Sequence, residues 1–361
     1  MARPLTWMLY GANGYTGEMI AERARSRGLR PILAGRRHAA IYPLAERLGC
    51  EPRIFSLRDP DEVAHHLEDV DTLVLAAGPF SRTSAVAVEA CLRARTHYLD
   101  ITGEIAVFEA AQARDDDARE RGVILLPGVG FDVVPSDCLA RALADALPGA
   151  DTLELAFYSR GGVSRGTLKT SLEGAQGQVR RGGVLRPIRL GSLTRSVPFP
   201  DRERTVVAIP WGDLATAAWS TKIPNITTYM AMPPRQIRGL ALTETMAPLL
   251  RLRPVQRILH RVIDRVVAGP DPQTREAGFA LYWGRVSVSD GREVVGHLRT
   301  PETYTFTADA TVASVLRLAE GRTPPGYHTP STAFGSEFVT TLEGCTLDLG
   351  EVDHTRAAAS S

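Results

Sequence analysis

Between Thr6 and Val129, short apolar runs alternate with amphipathic stretches at a regular pace. The runs Trp7–Tyr10, Pro31–Ala34, Arg53–Leu57, Thr72–Ala77, Tyr98–Ile101 and Val123–Leu126 predict strands. Several are almost continuously apolar, as strands covered on both faces are. The stretches between them, Tyr15–Arg27, Ala39–Leu48, Asp61–Leu67, Ser84–Ala94 and Val107–Arg121, carry helical spacing. This alternation predicts an α/β fold: a Rossmann-type, doubly wound parallel sheet with right-handed crossovers over residues 1–134.

After Pro135 the pattern changes. A helix over Ser136–Leu147 leads into a strand at Thr152–Ser159, then a Gly- and Arg-rich stretch. Short strands are predicted at Val184–Leu190, Thr205–Ile209 and Thr227–Met232. Leu281–Ser289 and Glu293–Arg299 alternate in polarity about the turn Asp290–Gly291. Runs of strands without long helices between them predict a second α+β domain, of mostly antiparallel or mixed sheet, over 135–324. Residues 235–267 are helical in pattern, broken near Pro254, with Ile258, Leu259, Val262, Ile263 and Val266 on one face and Arg253, Arg257, Arg261 and Arg265 on another. Such a helix suits a lipid surface, an acyl-carrier partner or a greasy substrate. The plainer alternative is a packed helix or homodimer contact with a solvated arginine face. The tail, 354–361, is expected to be disordered.

A formal net charge of +1 argues against nucleic-acid binding by phosphate neutralisation. Arginine supplies nearly all the positive charge, and the only lysines are Lys169 and Lys222. The four cysteines, Cys50, Cys91, Cys138 and Cys345, show no metal-ligand spacing and read as reduced thiols, with no metal expected. No signal peptide and no bilayer-length apolar run are apparent, so a soluble cytoplasmic protein is expected.

The sharpest motif follows the first strand: Gly11-Ala12-Asn13-Gly14-Tyr15-Thr16-Gly17, a GxxGxxG loop opening a helix within a βαβ unit. Gly11 permits the tight turn, Gly14 lets the backbone approach a pyrophosphate, and Gly17 lets helix and strand pack closely. The helix N-terminus offers unpaired N–H groups to the anion. An NAD enzyme usually carries Asp or Glu at the end of the second strand, but here stand Gly35, Arg36 and Arg37. The missing acid and the present guanidinium favour NADP(H), with Arg36 gripping the 2′-phosphate. Later strand ends bring Ala77-Gly78-Pro79-Phe80, then Gly103, then Gly130-Phe131-Asp132 to the same crevice. Helix capping accounts equally well for Asp100 and Glu104, and dipole stabilisation for Asp132 and Asp137.

Taken together, GANGYTG with AGRR, HYLDITGE (His97–Glu104) and GVGFDVVPSD (Gly128–Asp137) resemble the saccharopine dehydrogenase-like oxidoreductases. SRGTLKTSLEG (Ser164–Gly174), PWGDLATAAWSTKIPN (Pro210–Asn225) and TPSTAFGSEFV (Thr329–Val339) extend the likeness over nearly the whole chain, toward the branch of the trans-acting enoyl reductases. The resemblance implies a Rossmann domain, a second α+β domain, a cleft between them, and a C-terminal segment of about 325–353 returning to the cofactor domain.

The leading expectation is an NADP-dependent oxidoreductase that moves hydride from NADPH to an activated C=C bond of an acyl or polyketide-like substrate. Such chemistry needs one acid for the α-carbon, and the candidates are Tyr229, Tyr98, Ser136 and Lys169. The runner-up is an imine reductase, with Asp100, Glu104 or Asp132 holding an iminium group. A non-catalytic NADP-binding sensor is a third reading. A nucleophilic Cys138 is a fourth, set against an inert buried thiol.

Overall fold

The structure, a computed structural model, describes residues 5–161, 177–239 and 272–354. Lys169, the motif beginning at Ser164, most of the 235–267 segment and the tail beyond 354 lie outside the described residues. The chain divides into two compact units. One holds the chain up to Val134 together with Tyr304–Phe338, and the other holds Pro135–Thr303 and the chain from Val339 on.

In the first unit, β1 (Trp7–Tyr10), β2 (Ile32–Gly35), β3 (Pro52–Ile54), β4 (Thr72–Leu75), β5 (His97–Asp100) and β6 (Ile124–Leu126) form a wholly parallel sheet. Their order is β3-β2-β1-β4-β5-β6, with the short strand Gly326–Tyr327 outside β6. β1, β2 and β4 are buried at every position, so their apolar runs are explained by layers on both faces. The connecting helices are α1 (Tyr15–Ser26), α2 (His38–Leu48), α3 (Pro60–His65), α4 (Phe80–Ala94), α5 (Ile105–Gln112) and α6 (Asp115–Arg121). The expected single helix Val107–Arg121 is thus two. Arg114 breaks it at φ −102°, ψ 14°, and Asp115, Asp116 and Asp117 open the new helix at the end where the dipole favours acids.

The returning segment differs from the expected 325–353. It begins with the helix Thr303–Ala319, whose Ala308, Val312, Val315 and Leu318 share a core with Trp7, Leu9, Ile20, Leu33, Ile41 and Val74. Burying a Val, Leu or Ile side chain contributes roughly 1.5–3 kcal/mol. Asp309 fastens the helix further by pairing with Arg23 and Arg27 at the end of α1. Residues 346–349, by contrast, belong to the second sheet.

That second sheet is mixed. It comprises β7 (Thr152–Arg160), β8 (Gly177–Arg181), β9 (Val184–Ile188), β10 (Thr194–Pro198), β11 (Glu203–Ala208), β12 (Asn225–Ala231), β13 (Phe279–Ser287), β14 (Arg292–Pro301) and, closing one edge, Thr346–Leu349. Only β12 and β7 run parallel; the other pairs described are antiparallel. Helix α7 (Val134–Ala146) lies on one face, where Leu143 leaves no room for a Cβ at Gly284 and Leu139 and Leu143 pack close over Gly296. On the opposite face the sheet rolls over itself. Arg195 of β10 pairs with Glu154 of β7 at 2.6 Å and lies over the Trp283 ring, while His297 of β14 meets the Pro198 carbonyl at 3.0 Å.

Candidate functional site

The strand order reverses between β1 and β4, and in an open α/β sheet that reversal creates a ligand crevice at the strands' carboxyl ends. One wall is the glycine loop. Gly11 adopts φ +88°, its N–H donates to the Ala34 carbonyl at 2.8 Å, and an added Cβ would stand 2.9 Å from Ala76 and Ala77 backbone atoms. At Gly17 a Cβ would collide with the Gly11 carbonyl oxygen. Both positions therefore require glycine. Gly14 caps α1 in an extended conformation and has no side chain of its own to bond the helix's first N–H groups.

The opposite wall is the Ala77–Phe80 turn. Thr83 Oγ1 donates to the Ala77 carbonyl at 2.8 Å, and the Phe80 and Ser81 N–H groups donate to the two carboxylate oxygens of Glu104 at 2.8 and 2.9 Å. Next along the crevice, Asp100 ties two more loops together. Its Oδ1 accepts from Thr102 N at 3.0 Å and Gly128 N at 2.8 Å, and its Oδ2 accepts from the Tyr98 hydroxyl at 2.6 Å. Burial pushes the Asp100 carboxyl up to about 6, against those hydrogen bonds, which pull it down. Burial and the adjacent carboxylate push the Tyr98 phenol well above its usual range.

After β6, Phe131 N donates to Thr307 Oγ1 at 3.1 Å, and the partly buried Asp132 lies so close to Gly103 that a Cβ there would come within 2.7 Å of Oδ2. Burial pushes the Asp132 carboxyl up to about 6. Tyr304, from the returning helix, stands edge-on to Tyr15 with ring centroids 5.0 Å apart. At the end of β2, Arg36 and Arg37 are exposed, and among the described residues Arg36 makes no ion pair.

The first unit thus brings together Gly11, Ala12, Asn13, Gly14, Tyr15, Thr16, Gly17, Gly35, Arg36, Arg37, Ala77, Gly78, Pro79, Phe80, Gly103, Gly130, Phe131 and Asp132 along its carboxyl edge. The acid candidates are placed as follows. Tyr98 is fully buried on β5. Ser136, in the second unit, donates to buried Asp213 at 2.8 Å, and Tyr229 donates to Glu154 at 3.2 Å, its phenol pushed up to about 12 by burial and by that carboxylate. Sequence reasoning missed the parts played by Tyr304 and Thr307, which no local motif marks. It considered Glu104 a cap, but of its own helix rather than of α4.

Residues 7–126 match the saccharopine dehydrogenase NADP binding domain. Proteins of Mycobacterium tuberculosis and Mycobacterium bovis named trans-acting enoyl reductase are 25% identical over 412 residues, covering 95% of this chain and 96% of theirs. Residues 7–126 thus carry a saccharopine dehydrogenase NADP binding domain, and the whole chain is similar to proteins named trans-acting enoyl reductase. Another Mycobacterium tuberculosis protein, given the enoyl reductase activity provisionally in its name, is 32% identical over 180 residues; the match spans 46% of this chain and less than half, 43%, of that relative. The solved apo saccharopine dehydrogenase (L-Glu forming) of Saccharomyces cerevisiae shares the fold, with a TM-score of 0.65 at 9% identity over 97% of this chain and 100% of that one.

For an NADP binding domain the crevice is well fitted. Missing Cβ atoms at Gly11 and Gly17 give the loop its tight turn and close packing, the α1 cap is a glycine, and the residues just after β2 offer a guanidinium rather than an acid. Among the described residues no helix is long and apolar enough to cross a membrane.

Proposed function

We propose that this oxidoreductase uses NADPH to reduce an activated C=C bond of an acyl or polyketide-like substrate. The observation that carries the reading is the likeness, over 95% of the chain, to proteins named trans-acting enoyl reductase. In this reading the first turn of α1 holds the pyrophosphate, Arg36 forks onto the 2′-phosphate, and the Ala77–Phe80 turn passes along the nicotinamide ribose. Bound NADPH supplies the hydride. The chain must then supply a proton for the α-carbon. Tyr98 and Tyr229 are poor acids, since each donates to a carboxylate and is shifted upward. Asp132 is the donor we favour: it lies in the loop after β6, against Gly103, with its carboxyl raised toward neutral pH.

Carrier or lipid contact through 235–267 is part of the proposal, tested by carrier pull-down and liposome flotation with and without Arg253–Val267. A cytoplasmic setting accords with the four free thiols. The reaction itself is tested by NADPH oxidation with a trans-2-enoyl thioester set against a cyclic imine. Consumption with the thioester alone supports the reading, and consumption with the imine alone replaces it.

A further inference from the structure

The α4 helix begins at Phe80 after Pro79, a residue whose side chain cannot accept a hydrogen bond and which provides no cap. Four N–H groups at such an end need partners, and the helix dipole makes that end attractive to an anion. Because α4 follows β4 at the strand-order reversal, its N-terminus opens onto the nucleotide crevice, as that of α1 does. The two ends are nevertheless treated differently. The α1 end is capped by Gly14, which has no side chain, whereas the α4 end is closed by a carboxylate brought from 24 residues away, each oxygen taking one N–H.

That carboxylate is itself held in place. Glu104 N donates to Thr102 Oγ1 at 3.0 Å, and Thr102 N donates to Asp100. On the far side of the turn, Thr83 Oγ1 donates to the Ala77 and Pro79 carbonyls at 2.8 and 3.3 Å. Backbone donors and acceptors of the Ala77–Phe80 turn are therefore pinned from opposite sides, and the turn in turn abuts Gly11 of the phosphate loop.

We propose that Glu104 is the positioning residue of the nucleotide site: its carboxylate takes the anion position at the α4 N-terminus, fixing the Ala77–Phe80 wall and directing the nucleotide's pyrophosphate to α1. This rests on the NADPH crevice proposed above. Glu104 reaches the cofactor through the backbone it holds. Its loss should therefore weaken nucleotide binding and open a small hole with the shape and polarity of a carboxylate.

The test is NADPH titration of wild type, Glu104→Ala and Glu104→Gln, each with and without acetate, with acetamide as the uncharged control of similar size. Glu104→Ala is expected to bind NADPH about tenfold more weakly, having lost two charge-assisted hydrogen bonds. Acetate should restore much of the affinity and acetamide should not. Glu104→Gln keeps an acceptor and fills the hole, so it should fall between the other two and not respond to acetate. It also decides the matter if the alanine variant does not fold. Wild-type affinity in either variant, or equal rescue by acetate and acetamide, overturns the positioning role while leaving the NADPH site standing. Wild type failing to bind NADPH removes both.

Discussion

The Tyr98 hydroxyl donates to Asp100 Oδ2 at 2.6 Å, two residues along the same face of β5. The other Asp100 oxygen collects N–H groups from the loops after β5 and β6, so one buried carboxylate joins three segments of the crevice. Its carboxyl sits at about 6 in the fold against an ordinary 3.8. A carboxyl raised by folding contributes stability that is fully present below its unfolded value and is lost as pH rises through the folded one. Across that window the contribution is on the order of 3 kcal/mol. Melting curves of wild type and Asp100→Asn at pH 5 and pH 8 should show the wild type losing ground to the variant as pH rises. A constant difference between the two would contradict the assignment.

Glu154 sits at the centre of a charged cluster on the rolled face of the second sheet, accepting from Arg195 and Arg285, each at 2.5–2.9 Å, and from Tyr229. Replacing it with Gln leaves two guanidiniums without their carboxylate, at a cost of about 2–3 kcal/mol after allowing for their partial exposure. Thermal unfolding checks this. Tyr229→Phe is expected to leave kcat within about threefold, because a phenol held this high contributes little as an acid near neutral pH. A hundredfold loss would reinstate Tyr229 as the donor.

Gly11→Ala tests the glycine loop directly. The substitution forces a Cβ against Ala76 and Ala77 at a positive φ, which costs about 1–3 kcal/mol and shifts the wall of the crevice. Both the melting temperature and NADPH affinity should fall. A variant that melts and binds like wild type would show that the loop tolerates what its geometry forbids.

Much of this was legible in the chain. The Rossmann strands announced themselves because burial on both faces demands nearly unbroken apolar runs, and the glycine loop because Gly11 and Gly17 are irreplaceable where backbone meets backbone. The helix Thr303–Ala319 gave no comparable signal. Its buried positions include Thr307, Asp309, Thr311 and Ser314 beside Tyr304 and Phe306, so no clean apolar stripe separates its faces. Strand β10 went unpredicted for a related reason: it is largely exposed and carries polar residues. The Glu104 cap of α4 is a contact through space, and local spacing pointed to the helix that follows it instead.

If Asp132 is the proton donor, its acid form does the work and kcat should decline as pH rises above about 6. Asp132→Asn should flatten that limb and lower kcat at least about a hundredfold while leaving NADPH affinity close to wild type. An unchanged pH profile in the variant would move the donor elsewhere.

The central claim is that the carboxyl edge of the parallel sheet is an NADP site read by Arg36. The most direct test is the affinity of wild type and Arg36→Ala for NADPH and NADH. Wild type should prefer NADPH, and loss of one charge-assisted fork should weaken NADPH by about 10- to 100-fold while leaving NADH nearly unchanged. Equal affinities in wild type, or a variant that keeps the preference, would contradict the account.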